Sequence, residues 1–502
     1  MTRTGRLPLA VLPLALTYLA VALNMTIASV ALPTISTQFQ ASAEQLAWIV
    51  NATPMVSAAF ILFAGAWSDR IGRKRMLIIG NVIFLASAIL SGMTDSVQTL
   101  ILLRALTGLG SAMAMPAAMA LTFDVTRGTS QRTAVGIMGG TQAIGALLGP
   151  LLGGAALVTF GWHAAFWSVA PMLALALVLN IVLLPRDQPL PRRPLDSVGS
   201  ALTAVSGVAF LYAAVSAASS PDTWIWVAVA VGVLSALALV WWERRVDYPL
   251  FVPEIVRRRT FLVPTLVVFM VQFTLGGLLF LNTQYVQLVL GFSALSAGLF
   301  LMPALLMWTA SASTAGITAK RFGARNVTAM SLVITAVGLV LTSIGGRNPV
   351  YPVLILGLVL TGVMGVAPAL MTHTSVANYP EERRSVGSAI NSMAVRFGLA
   401  FGVAGYGTLL AIRYQDRIAS ALGGLSAQDR ADAAESLGGA INVADRSDVA
   451  GLADAARDAY VSGFQLVLVV AALVLVLLAV VVWRGLPAHL DVGENKTVEV
   501  AS

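Results

Sequence analysis

The chain has no cysteine among its 502 residues and only three histidines. The first absence excludes a disulfide framework, thiol chemistry and a cysteine-based metal site. Charge is scarce too: 11% of residues are charged, against 58% hydrophobic. No soluble domain needs that much apolar surface, so the composition describes a polytopic membrane protein. Scarcest of all is acid within the apolar runs. Glu44, Asp95 and Asp124 lie at expected helix ends, and no Asp or Glu falls near a midplane. Without a cluster of His, Cys or carboxylates, the sequence offers no catalytic site, metal site or cofactor site, and an enzyme is not expected. A sensor is not expected either, because the polar tail after Arg484 is too short for an output domain.

What is present is a series of apolar runs. A bilayer core takes roughly 20 apolar residues per helix. The runs fall at 8–31, 45–66, 76–93, 98–121, 134–158, 164–184, 198–218, 224–242, 262–284, 294–318, 327–345, 352–373, 386–411 and 462–483, which predicts an all-α protein with 14 transmembrane helices. The breaks alternate between rich and poor in Lys and Arg. Arg3 and Arg6, Arg70 to Arg75, Arg127 and Arg132, Arg186 to Arg193, Arg244 to Arg259, Lys320 to Arg325, Arg383 and Arg384, and the tail share one side; the short loops opposite hold only Arg347. The positive-inside rule then puts both termini in the cytoplasm. The net charge of +8 is that asymmetry, so no nucleic-acid partner is inferred from it. Trp162, Trp224, Trp226, Trp241, Trp242 and Trp483 fall near helix ends, as an interfacial belt should. Residues 413–460 form a long outer segment rich in Ala, Asp, Arg and Gly, readable as a small helix pair or as a flap.

Glycines 145, 149 and 153 are spaced four apart and so share one helix face, with Pro150 and Gly154 beside them. A face almost bare of side chains admits a second backbone closely, and proline bends the helix. This suits either a fixed packing face or a hinge. Between the second and third runs, Gly65 to Arg75 carries Asp69, Arg70 and Arg73 around Gly72, which permits a tight turn. Two ionisable groups lie inside runs, Arg104 and Arg396. Such groups are costly in a bilayer and therefore candidates for function. Arg104 is alternatively satisfied by backbone carbonyls, and Arg396 by snorkelling.

Several of these segments resemble one family. Gly65–Arg75 is similar to the loop signature of the major facilitator superfamily, G-x-x-x-D-R-x-G-R-K/R. Leu103 to Ala112 resembles its fourth-helix motif, with Thr107 where Gln is usual. Gly145–Gly154 resembles its fifth-helix signature G-x-x-x-G-P-x-x-G-G, which marks exporters working as antiporters. Leu23 to Pro33 resembles the first-helix motif of the fourteen-helix drug:proton antiporters, and further matches run from Tyr285 to Gly298, from Arg396 to Ala404 and around Gly463. The resemblance covers about residues 8–484.

It implies a major facilitator fold of 6+2+6 helices: one bundle at 1–184, a linker and inserted pair at 185–261, a second bundle at 262–484 and a tail at 485–502. The bundles rock about a central cavity. Gly316 to Arg325 echoes the first loop motif in the second half, with Lys320 in the Asp position. The resemblance also implies a substrate and proton role for Arg104, a gating charge cluster of Asp69, Arg73 and Asp124, and an antiporter hinge at 145–154. It implies a monomer in the bacterial cytoplasmic membrane that exports drugs, antibiotics or metabolites in exchange for protons. An importer or uncoupled facilitator is the alternative.

One departure changes the chemistry expected. The first-helix motif normally carries Asp where this chain has Asn24, and an amide cannot carry a proton. A cavity with arginine and no acid favours neutral, amphipathic or anionic substrates over dications. Asn24, Thr26, Asn51, Gln142, Asn282, Gln284 and Asn391 are its candidate polar groups. Phe60, Phe269, Phe273, Phe280 and the mid-span Trp308 are its candidate apolar surface.

Overall fold

The computed structural model describes residues 9–126, 129–187, 196–216, 223–246, 258–377, 384–447, 449 and 451–487. Among them there is helix and no strand. The helices are α1 (Val11–Phe39), α2 (Ala43–Ile71), α3 (Arg73–Ser91), α4 (Val97–Val125), α5 (Thr129–Phe160), α6 (Trp162–Trp167), α7 (Ala170–Leu183), α8 (Ser197–Ser216) and α9 (Thr223–Glu243). The second half follows with α10 (Arg259–Gln284), α11 (Ala294–Phe322), α12 (Ala324–Ser343), α13 (Tyr351–Gly362), α14 (Val366–Ala377), α15 (Arg384–Ile418), α16 (Ala427–Glu435), α17 (Leu437–Ser447) and α18 (Leu452–Gly485). Twelve helical segments among the described residues are long and apolar enough to cross a membrane. The two other expected spans fall on α2 and α5, which are long helices of 29 and 32 residues. The protein is an all-helical, multi-pass membrane protein.

Local chemistry sets the helix ends. Ser42 and Gln45 form a reciprocal capping box at the start of α2, with both bonds at 3.0 Å. Ser96 and Ser293 cap α4 and α11 through the amides of Thr99 and Ser296. Gly72, at φ 106°, separates α2 from α3, and Gly323, at φ 81°, separates α11 from α12. Left-handed backbone of that kind favours glycine. The two junctions occupy the echoed motif in the two halves. The segment expected as a loop at 65–75 is therefore helix on both sides of a single glycine.

The first-half helices pack on one another through α1 with α5, α2 with α4 and α3 with α4; the second-half helices pack through α10 with α15 and α12 with α18. The halves meet along α2 and α15, α5 and α11, and α1 and α10. The inserted pair α8 and α9 pack together, with α8 against α2 and α15. Lipid-facing surface shows in exposed apolar side chains such as Trp226, Leu234 and Leu477.

The structure departs from the sequence-based expectations at three further places. The stretch 413–460 is not one loop: α15 runs to Ile418 and α18 starts at Leu452, leaving the short hairpin α16–α17 between them. The end that carries this hairpin is called outer below. There α17 rests on α1, with Asn442 Nδ2 donating to the Thr37 carbonyl at 2.9 Å and Gly438 beside Ser36. Trp162 is not in an interfacial belt. It is 1% exposed and meets Phe39 edge-on at 5.4 Å, whereas Trp224, Trp226, Trp241 and Trp483 are exposed. The sixth span is broken into α6 and α7 around Ser168. Residues 1–8 and 488–502, and with them most of the tail, lie outside the described residues.

Candidate functional site

The glycine face of α5 is laid directly on α1. A Cβ on Gly145 would meet Ala22 Cβ and the Leu19 carbonyl at 2.7 Å, one on Gly149 would strike Thr26 Oγ1, and one on Gly153 would meet Ile27 at 3.2 Å. Absent side chains therefore set the α1–α5 distance. Gly154 points elsewhere: its Cβ would meet the Ala294 carbonyl at 2.8 Å, at the start of α11 in the other half. The helix runs without a break through position 150; the Pro150 side chain lies outside the described residues.

Arg104 projects from α4 into the first-half core and is 1% exposed. Its Nη1 donates to Asn24 Oδ1 at 2.6 Å, its Nε donates to the Ile49 carbonyl at 3.2 Å, and its guanidinium stands 5.8 Å from the Phe166 ring. Thr53 Oγ1 donates to the Arg104 carbonyl at 2.8 Å and fixes the helix turn beneath it. No carboxylate touches this cation among the described residues. It is held by neutral dipoles and an aromatic face. Arg396, on α15, is 6% exposed and does not snorkel. It crosses to the first half, where it donates to Ser57 Oγ and lies 2.9 Å from Met115 Sδ. Ser111 Oγ donates to Ser57 Oγ at 3.0 Å, so α2, α4 and α15 are tied at one point.

A central pocket opens between the halves, with about 710 Å³ of empty space. Thr26, Ser29 and Val30 come from α1, Asn282 from α10, Gln287 from the turn after it, and Trp308 from α11. The rest of the lining is mostly Leu, Ala and Gly, and among the described residues no charged side chain takes part. Thr26 Oγ1 is turned back to the Leu23 carbonyl at 3.2 Å, and Gln287 Nε2 donates to the Val30 carbonyl at 3.3 Å. The pocket thus presents apolar surface with a few hydroxyls and amides, a pattern that suits uncharged amphipathic molecules. Of the residues expected in the pathway, Thr26 and Trp308 line it, while Asn24, Arg104 and Arg396 do not.

The other candidates are scattered. Phe60 is 43% exposed. Phe269 and Phe273 sit on α10 beside α15, where Phe269 packs near Phe401 and Phe273 meets Tyr406 edge-on. Asn391 Nδ2 donates to Thr372 Oγ1 at 3.1 Å. Asn51 is fully buried, and its amide has no hydrogen-bond partner among the described residues. Gln142 lies outside the residues whose side chains are described.

At the inner end, Arg73 Nη1 bonds Asp124 Oδ1 at 2.7 Å, which ties the start of α3 to the end of α4. Gly65, Asp69 and Arg70 lie on the last turns of α2; the side chain of Asp69 is outside the described residues. Sequence reasoning missed the acid that completes this corner. Asp187, just past α7, accepts from the Lys74 amide at 2.7 Å and the Arg75 amide at 3.2 Å. It caps the N-terminus of α3 and also favours that end of the helix dipole. Lys74 Nζ returns to the carbonyls of Ile181 and Leu184.

Known proteins share this plan. The chain is 31% identical over 488 residues to the multidrug efflux pump LfrA of Mycolicibacterium smegmatis, covering 96% of this chain and 97% of that protein. It is 29% identical to the methyl viologen resistance protein SmvA of Salmonella typhimurium, over 94% of this chain and 96% of the other. A bacterial homolog to the human lysosomal transporter Spinster, solved in an inward-facing and unoccupied conformation, superimposes with a TM-score of 0.67 at 16% identity. That match covers 95% of this chain and 96% of the other. Residues 14–403 match the family model directly, and the chain belongs to the Major Facilitator Superfamily.

Proposed function

We propose that this transporter exports small amphipathic drugs, antibiotics or metabolites across the bacterial cytoplasmic membrane, in exchange for protons, as a monomer with both termini inside. The observation that carries the reading is the central pocket between the halves, whose described lining is uncharged and includes Thr26, Asn282 and Trp308. Kinship to a multidrug efflux pump supports the outward direction. In this reading residues 1–184 and 262–484 are the two moving bundles, and 185–261 supply a linker and the inserted pair. Arg104 and Arg396 act from behind the pocket wall, through Asn24 and Ser57. The charges of Asp69, Arg73 and Asp124 gate the inner end, and the glycine face at 145–154 is the hinge.

The test is reconstitution in lipid vesicles with an imposed pH gradient and neutral or anionic amphipathic compounds. Compound-dependent loss of the gradient is expected. Export that ignores an uncoupler would remove the proton from the mechanism, and net uptake would reverse its direction.

A further inference from the structure

The central pocket follows one face of α10 and then changes register. Leu275, Leu278, Leu279, Asn282 and Thr283 line it at the three- and four-residue steps of an α-helix. The same steps lead next to Val286. Yet Val286 is 1% exposed and takes no part, and Gln287 lines the pocket in its place. The cause is local. Tyr285–Val289 form a π turn, closed by the Leu290 amide on the Tyr285 carbonyl at 3.1 Å. Such a turn holds one more residue than an α turn, so the side chains beyond it shift by one position. Tyr285 pins it in place: its hydroxyl donates to the Gly346 carbonyl at 2.8 Å, and its ring stacks on Phe464 at 4.6 Å. An α-helical continuation would show the pocket a valine; the π turn shows it a carboxamide.

Few of the pocket's polar groups are free to meet a guest. Thr283 Oγ1 donates to the Leu279 carbonyl at 2.7 Å and Thr361 Oγ1 to the Gly357 carbonyl at 2.8 Å, as Thr26 does within its own helix. Gln287 spends Nε2 on the Val30 carbonyl, which leaves Oε1 as a fixed acceptor. The side chains of Asn282 and Ser29 make no hydrogen bond among the described residues. The Asn282 carboxamide therefore sets an unspent donor beside an unspent acceptor, on the face that also carries Gln287. Its complement is a neutral edge with N–H and C=O side by side.

We propose that Asn282 and Gln287 are the specificity-determining pair of the central pocket, and that they select uncharged amphipathic cargo carrying a lactam, imide or carboxamide edge. Asn282 meets the N–H and C=O of that edge in two parallel hydrogen bonds. Gln287 Oε1 accepts from a further donor, and Trp308 with the leucines covers the apolar body. The proposal rests on the central pocket being the cargo site, but not on the direction of transport or on protons.

The test compares phenanthridinone, an uncharged fluorescent tricyclic lactam, with its N-methyl derivative, which keeps the rings and the carbonyl but loses the donor. Each is titrated onto the full-length protein in lipid nanodiscs, with empty nanodiscs as the reference for partition into lipid. The lactam is expected to bind about tenfold more tightly, the scale of one neutral hydrogen bond whose loss leaves its partner unpaired. Asn282→Leu, close in size, should bring the two affinities together by weakening the lactam, and Asn282→Ala should do the same without added bulk. Gln287→Leu should weaken the lactam less. A packing defect would weaken both compounds alike, so the ratio isolates the amide. No binding of the lactam, equal affinity for the two compounds in the unmodified protein, or a lactam preference that survives in folded Asn282→Leu and Asn282→Ala would overturn the proposal. Export fails separately: vesicles that do not expel a lactam still bound with the tenfold preference would remove the transport reading and keep this one.

Discussion

Asn24 Oδ1 accepts a 2.6 Å hydrogen bond from Arg104 Nη1, so the amide that replaces the expected acid is the partner of the buried cation and does not face the cargo. This alters what Asn24→Asp should do. A carboxylate there would neutralise Arg104 and offer no free charge to the central pocket. The variant is expected to gain about 1–3 kcal/mol from the stronger bond, seen as a higher melting temperature. Its central-pocket preference for uncharged compounds should persist, and a new preference for cations there would count against the geometry.

The glycine face predicts a graded series. A Cβ at Gly149 collides with Thr26 Oγ1, while one at Gly140, on the same helix, meets nothing within 4 Å. Gly149→Ala should cost about 1–3 kcal/mol by overpacking and slow transport, whereas Gly140→Ala should match the unmodified protein. Adding Thr26→Ala to Gly149→Ala should restore part of the loss. Thermal unfolding and vesicle transport read both effects.

Gly72 is constrained twice, by its φ of 106° and by the Asp187 carboxylate, which occupies the place a Cβ would take. Gly72→Ala should therefore destabilise by about 1–3 kcal/mol and expel the cap from α3. Gly316→Ala, in open space within the echoed motif, should be silent. Asp187→Asn keeps the shape and removes the charge, so it should cost about 1 kcal/mol. Thermal unfolding ranks the three.

The outer hairpin contains opposed titrations. Hydrogen bonds from Ser426 and Arg446 hold the Asp429 carboxyl below its usual range. A depressed carboxylate stabilises above its unfolded pKa, and that stability is lost as pH falls through the folded value. Glu435 is raised, so its share is present at low pH and is lost as pH rises through its folded value. Arg446→Ala should speed amide exchange across Ala427–Ser447 at neutral pH. Glu435→Gln should slow it there and flatten its rise between acidic and neutral pH. Hydrogen exchange with mass spectrometry resolves both.

Apolar length made the membrane spans legible, and the spacing of glycines 145, 149 and 153 made the α5 face legible, because both signals are local. Arg104 and Arg396 stood out for the same reason, as charges inside apolar runs. Asp69 and Arg70 look like a break in the sequence, so the junction at Gly72 reads as a loop, although a helix can carry charge on its last turn outside the membrane. The Asp187 cap joins residues 113 positions apart, and no pattern around either end announces it. Glu44 and Glu435 face one cavity from opposite ends of the chain, and each alone is an ordinary helix-end acid. The hairpin was indistinct because ties such as Ser426 to Asp429 and Arg446 to Asp432 hold it, in place of a long apolar stripe.

The contact between that hairpin and the first helix has a kinetic meaning. The hairpin hangs from α15 and α18, yet it rests on α1 through Asn442 and the Thr37 carbonyl. Any parting of the two halves at the outer end must break this seat and later restore it. In that case it would act as an escapement: tightening it should lengthen the interval between turnovers without changing how firmly the central pocket holds its cargo.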